Sequence, residues 1–328
     1  MTHAVARGAN ISFIDSHPRA GDARKQVIAG LLQPQKSIEP KWFYDETGSQ
    51  LFDRITRLPE YYPTRTECHI LETYREEIGR HCGRECVFIE PGSGSCAKAR
   101  LLFDTLRPAV YVPVDISADF LLEAAEQVAL EYTWLPVLAV CADFSHDWSY
   151  VEQLPAGRRL VFYPGSTIGN LDPDGAVVFL RQVANVLGED GGALIGVDLH
   201  KPTARLEAAY NDSAGVTAAF NSNVLNRLND MFGAVFDPSL FEHRAFYDES
   251  RQRIEMHLVS RCAQRLSFDG QPIEFLEGET IHTESSYKYT VDGFADLAAS
   301  AGLALKQTWI DDERLFSVHY LQAHSANH

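Results

Sequence analysis

From Val87 to Asp198 the chain alternates short β-rich runs with longer helical patterns, and that rhythm constrains the fold more than any other feature. Residues 87–90, 110–115, 137–140, 160–163 and 193–198 read as strands. Residues 98–106, 120–132 and 175–187 carry the spacing of helices with one apolar face. Strand, helix and strand in regular succession build a parallel sheet with crossover helices. The tail over 304–321 is strand, turn and strand again (LKQTWI, DDERL, FSVHYLQA), which predicts an antiparallel hairpin added to that sheet.

The rhythm breaks after Asp198. About ninety residues follow with a helical stretch over 206–232 and strands over 253–261 and 279–289, and they read as an insertion. The first sixty or so residues are aromatic and punctuated by proline (PKWFYDETGS, LPEYYPTRTE), and are expected to join that insertion. A chain of 328 residues exceeds what one core usually holds, so two domains are expected. Residues 64–199 and 287–328 would form the sheet domain. Residues 1–63 and 200–286 would form an α+β substrate domain, placed at the carboxyl edge where open α/β sheets bind ligands. Internal repeats and low-complexity segments are absent.

Charge narrows the partners. With 29 basic against 45 acidic residues, the net charge of -16 repels phosphate backbones and anionic lipid, so neither nucleic acid nor membrane is an expected partner. The cysteines at 68, 82, 86, 96, 141 and 262 form no CxxC pair, and they read as reduced thiols with no metal site among them. An N-terminus without an apolar signal core, and a chain without a run of about 18 apolar residues, predict a cytoplasmic protein. A monomer acting on a small molecule is expected.

The chemistry starts at VFIEPGSGSCAKARLL. A strand ends in Glu90, and Gly92 and Gly94 open the next helix, where glycine lets a ligand approach the backbone. Gly92, Gly94 and Ala97 also fit the dinucleotide pattern G-x-G-x-x-A, with Asp115 in the ribose window, so a nicotinamide-dependent oxidoreductase stays open on this motif alone. Glu90 argues against it, because a carboxylate beside a pyrophosphate is repelled whereas one beside an ammonium is attracted. Asp143 and Phe144 follow the third strand, where an adenine amino group needs an acceptor and an aromatic neighbour. S-adenosyl-L-methionine, a sulfonium nucleoside without phosphate, satisfies these carboxylates. After the fourth strand, FYPGSTIGN places Gly165 and Asn170 where a small polar substrate is held by an amide.

Segments spread along the chain then carry a resemblance: WFYDETGSQLFDRITRLPEYYPTRTE, VFIEPGSGS, YVPVDIS, YPGSTIGN, IGVDL, AAYNDSAGVTAAFN, RIEMHL and HTESSYKY. In that order they resemble the histidine Nα-methyltransferases of ergothioneine biosynthesis. The resemblance implies a Rossmann-like class I methyltransferase sheet and successive transfer of three methyl groups to the α-amino group of L-histidine, giving the betaine hercynine. Another amino-acid acceptor such as tryptophan is the alternative. Carried over by motif, Tyr61, Glu284 and Ser286 face the imidazole, Met256 packs on it, Asn170 and Tyr210 hold the carboxylate, and Tyr44 lines the amino end. Tyr44, Asn170 and Tyr210 are thus the candidate catalytic residues, and Glu90, Gly92, Gly94, Lys98, Asp115, Asp143 and Phe144 the cofactor set. Pro91, Cys96, Ala97 and Ser285 depart from the family pattern. Methyl transfer is an in-line displacement that needs orientation and a neutral amine, and no metal.

Overall fold

The computed structural model describes residues 5–6, 10–16, 20–145 and 147–323. The chain divides into two compact units, one of Met1–His17, Pro63–His200 and Lys288–His328, the other of Pro18–Tyr62 and Lys201–Tyr287.

Among the described residues of the first unit, nine strands form one sheet. Its parallel part runs Ile11–Ser16, Val137–Ala142, Val110–Asp115, Val87–Pro91, Arg159–Tyr163, Gly192–Asp198 from one edge inward and across. The sequence order steps outward from Val87–Pro91 and then crosses back to Arg159–Tyr163. The gap between those two strands is therefore the switch point at which ligands of doubly wound sheets bind. All residues of Val87–Pro91, Val137–Ala142 and Gly192–Asp198 are buried, as strands covered on both faces require. The expected terminal hairpin is present: Leu303–Ile310 and Phe316–Ala323 pair antiparallel, and the latter pairs antiparallel with Gly192–Asp198.

Local chemistry sets the ends of these elements. Asp172 accepts a hydrogen bond from the Gly175 amide at 2.7 Å, and Pro173 occupies the first turn, so the helix begins at Pro173 rather than at 175. The helix Val291–Ser300, which the periodicity did not single out, is capped in the same way by Thr290.

One expectation about the N-terminus is corrected. Residues 11–16 do not leave the sheet; they lengthen it, with Ile11 opposite Val137 and Ser16 opposite Ala142, and Val5–Ala6 pairs antiparallel beyond them. Ile11 and Ile14 are buried while Asp15 is exposed, a dilution of apolar residues that suits a strand next to the margin of the sheet.

In the second unit, Lys36–Ser37, Thr280–Tyr287, Arg253–Ser260 and Phe241–Asp248 form a separate sheet in that order. The single helix expected over 206–232 is two helices, Thr203–Tyr210 and Val216–Phe232. Asp212 breaks it by accepting from the amides of Val216 (2.8 Å) and Thr217 (2.7 Å), and Gly215 supplies a positive φ of 70°. A β-bulge interrupts the pairing of Arg253–Ser260 with Thr280–Tyr287: Met256 faces Glu284 and His257 faces His282, leaving Thr283 as the extra residue.

Candidate active site

The cofactor set of the first unit gathers at the carboxyl ends of three adjacent parallel strands. Pro91 is followed by Gly92 (φ 69°), Gly94 (φ 51°) and Cys96 (φ 58°), and the helix Ala97–Leu106 opens directly after them. This loop is tied to the neighbouring strand: the amides of Gly92 and Ser93 donate to the Val114 carbonyl at 2.8 and 3.1 Å. Asp115 then fixes both sides of the cleft, its Oδ2 accepting from the Gly94 amide at 3.1 Å and its Oδ1 from the Ser117 amide at 3.0 Å. A carboxylate held in this way at a strand end is the kind of acceptor a ribose hydroxyl needs. A Cβ on Gly92 would lie 3.4 Å from the Phe144 ring, whereas one on Gly94 would meet no protein atom within 4 Å. The ring edge of Phe144 thus borders the glycine loop at Gly92, and the loop is open at Gly94. Asp143 is buried and accepts from the Ser145 amide at 3.1 Å.

Glu90 is 1% exposed and accepts from the Tyr111 hydroxyl. Burial pushes its carboxyl up to about 8; the Tyr111 hydrogen bond and Lys98 oppose the rise, and Glu67 and Asp115 add to it. A buried acid so poised is stabilised in its charged form by an incoming cation. An anionic pyrophosphate would find three acids here.

Lys98 brings a partner of its own to this cleft. Its ammonium pairs with Glu67 at 2.5 Å. The sequence motifs assign Glu67 no role. It is fully buried, accepts from the Gly165 amide at 3.1 Å on Oε1 and 2.9 Å on Oε2, and lies where a Cβ on Gly196 would come within 1.9 Å of Oε1. One carboxylate at the switch point therefore joins the glycine-loop helix to the turn that begins at Gly165. Gly165 (φ 79°) and Ser166 (φ 57°) shape that turn, and Asn170 ends its 3-10 helix Thr167–Asn170, half-buried. The Asp198 amide donates to the Ser166 hydroxyl at 2.9 Å, and Asp198 itself forms a buried ion pair with Lys288 at 2.9 Å. The signal that could have identified Glu67 is an acid in an otherwise apolar helix face of Tyr62–Thr73, three residues before Ile70 and four before Leu71.

The second unit holds the remaining candidates. Tyr44, Phe52, Tyr61 and Phe220 form a ring cluster: Tyr44 lies 5.8 Å from Phe52 and 5.8 Å from Phe220, and Phe52 lies 6.4 Å from Tyr61. Tyr210 ends its helix, and Met256 stands directly across the strand pair from Glu284, as Ile254 does from Ser286. Tyr61, Tyr210, Met256, Glu284 and Ser286 are all buried. Glu255, His257 and His282 bring potential ligand atoms within 4.8 Å of one another. Protein groups already engage both oxygens of Glu255: Arg253 Nε donates to Oε1 at 2.8 Å, and His257 Nε2 lies 2.8 Å from Oε2. Those contacts run along the strand Arg253–Ser260, and Arg253 Nη1 ties it to the neighbouring strand by donating to the Tyr287 hydroxyl at 2.6 Å.

Three strand-end carboxylates around a glycine loop, on a doubly wound sheet that finishes in an antiparallel hairpin, define a class I S-adenosylmethionine-dependent methyltransferase. The chain belongs to the histidine-specific, S-adenosylmethionine-dependent methyltransferase family, whose profile matches residues 23–323. It is 43% identical over 306 residues to the histidine N-alpha-methyltransferase of Mycolicibacterium smegmatis, covering 92% of this chain and 94% of that protein. Identity to the enzyme of the same name from Mycobacterium tuberculosis is 41%, covering 88% and 91%. A 4-dimethylallyltryptophan N-methyltransferase of Aspergillus fumigatus is 25% identical, covering 87% and 88%. Family membership overturns the nicotinamide alternative for Gly92, Gly94 and Ala97.

Proposed function

We propose that this enzyme methylates the α-amino nitrogen of L-histidine, three times in succession, to give the betaine hercynine in ergothioneine biosynthesis. The observation that carries this reading is the 43% identity to a histidine N-alpha-methyltransferase across 92% of the chain. The relative named for a tryptophan derivative supports a second acceptor class, at much lower identity.

S-adenosylmethionine supplies an electrophilic methyl group on a positively charged sulfur. Glu90, Asp115 and Asp143 are the residues that would hold it, through ammonium, ribose and adenine respectively, with Gly92 and Gly94 leaving room and Phe144 against the base. Lys98, neutralised by Glu67, would orient the cofactor's carboxylate end. Asn170 and Tyr210 would hold the substrate carboxylate, and Gly165 offers backbone beside Asn170. Tyr61, Glu284 and Ser286 would recognise the imidazole, Met256 would pack on it, and Tyr44 would border the amine. A carboxylate that accepts from an imidazole N–H discriminates strongly, because an acceptor ring without that donor leaves a buried acid unpaired. The amine attacks as a free base, so one proton must leave before each of the three transfers.

Mass spectrometry of the products formed from labelled S-adenosylmethionine with an equal mixture of histidine and tryptophan tests the proposal. A gain of three methyl groups on histidine supports it. Methylated tryptophan with unmodified histidine refutes it in favour of the second acceptor class.

A further inference from the structure

A buried polar relay in the second unit, Thr283, Asn221 and His243, has no part in the roles assigned above. Asn221 is fully buried, and every polar atom of its side chain is engaged. Its Nδ2 donates to the His257 carbonyl at 3.0 Å and faces His243 Nδ1 at 2.9 Å, while its Oδ1 accepts from the Thr283 hydroxyl at 2.7 Å. An amide that donates to Nδ1 requires that nitrogen to be an acceptor, so His243 carries its proton on Nε2. That nitrogen lies 2.9 Å from the Tyr210 carbonyl and donates to it. Burial lowers the His243 pKa, which keeps the ring neutral and this tautomer intact.

The two ends of the relay are the informative part. One end is the backbone of Tyr210, which is further secured by Asn211 Nδ2 donating to the Ala245 carbonyl at 3.1 Å and by the Asp212 cap. The other end is Thr283, the bulge residue immediately before Glu284, whose hydroxyl also lies 3.1 Å from the Met256 carbonyl. A bulge re-aims the side chain that follows it. From the other side, His282 Nε2 lies 3.0 Å from the Glu284 carbonyl.

We propose that Asn221 is a positioning residue for acceptor choice: its amide holds Tyr210 and the Glu284 bulge in a fixed relation, which sets the spacing at which an amino acid's carboxylate and ring donor are recognised. The ligand class is a free α-amino acid with a hydrogen-bond donor at the distance of an imidazole nitrogen. This rests on the reading that Tyr210 and Glu284 face the substrate. Satisfied buried networks of this kind fix geometry because a partly satisfied one is costly.

The test is calorimetric titration of histidine into the full chain saturated with S-adenosylhomocysteine. Thr283→Val removes the hydroxyl and keeps the shape, and Asn221→Ala removes the relay's centre. Each is expected to weaken histidine binding about tenfold, the effect of one unsatisfied buried partner, while S-adenosylhomocysteine affinity stays within about twofold. Thr283→Ser, which retains the hydroxyl, restores histidine binding. Thr283→Val placed on Glu284→Ala adds no further loss. Wild-type histidine affinity in folded Thr283→Val and Asn221→Ala proteins overturns the proposal, and the Thr283 pair decides alone where Asn221→Ala does not fold. Unchanged affinity in Glu284→Ala and Tyr210→Phe overturns instead the reading of the substrate residues on which it rests.

Discussion

With the cofactor's ammonium against Glu90, as proposed, cofactor affinity should depend on pH, and the size of the effect follows from the surroundings of that residue. In the ligand-free protein burial holds its carboxyl at about 8, against an ordinary 4.5, with Tyr111 and Lys98 opposing the rise and Glu67 and Asp115 adding to it. At pH 6 the group is almost wholly protonated. An ammonium placed against it favours the charged form, so binding expels a proton, and affinity must increase as pH rises toward 8. If the bound carboxyl falls below 6, the linkage amounts to about 25-fold tighter binding at pH 7.5 than at pH 6. S-adenosylhomocysteine is the suitable ligand, since its sulfur is neutral and its ammonium is then the cation that Glu90 would meet. Calorimetry in two buffers of different ionisation heat reads both the affinity and the proton released. Glu90→Gln should bind more weakly at pH 7.5 and lose the slope. A flat profile in the wild type, or the same slope in Glu90→Gln, refutes the placement of the ammonium at Glu90.

Further expectations follow from the same unit. Glu67→Gln removes the charge opposite Lys98 while leaving an acceptor for the Gly165 amide, and should weaken S-adenosylhomocysteine binding about tenfold with a lower Tm, read by calorimetry and thermal melting. Gly94→Ala adds a methyl that meets no protein atom, so it should cost about 1–2 kcal/mol of backbone strain at φ 51° yet abolish most cofactor affinity; retained affinity would place the cofactor away from that glycine. Lys288→Met strands Asp198 as a buried charge and should destabilise the fold by about 3–5 kcal/mol in denaturant titration, with Asp198→Asn in the same chain recovering part of the loss.

The sheet was legible because its signal is local and repeated. Runs such as VFIEP and VLAVCA have to be apolar along their whole length when both faces are covered, and the helices between them show their spacing in any window. What escaped the sequence depends on partners far away in the chain. Ile11–Ser16 reads as a strand only when Val137–Ala142 is there to pair with it. Asn211, Asp212 and Gly215 look compatible with one long helix until Asp212 turns back to cap Val216. Of the candidate site, the glycines and strand-end acids could be placed from sequence because their positions relative to the strands are fixed by fold geometry. Glu67 was not, because its role is set by Lys98, Gly165 and Gly196, which lie 31, 98 and 129 positions further on. No short window contains that constellation.

The second unit shows why the residues proposed to meet the substrate are scattered over the sequence. The helix Val216–Phe232 presents Phe220 to Tyr44 at 5.8 Å and, one position on, Asn221 to Thr283 and His243; Asn223 then donates to Asp45 at 2.9 Å, the residue that caps the helix Glu46–Ile55. Three neighbouring positions on one helix thus fix an aromatic wall, a bulged strand and a helix start. A ring cluster alone separates acceptors only by size, which is worth little when one aromatic replaces another, whereas an acid held at a set position demands a donor. Selectivity among aromatic amino acids therefore requires that Glu284 be unable to move aside. Its bulge is locked from within by Thr283 and from outside by His282, so relaxing either contact should broaden acceptor choice before it lowers turnover with histidine.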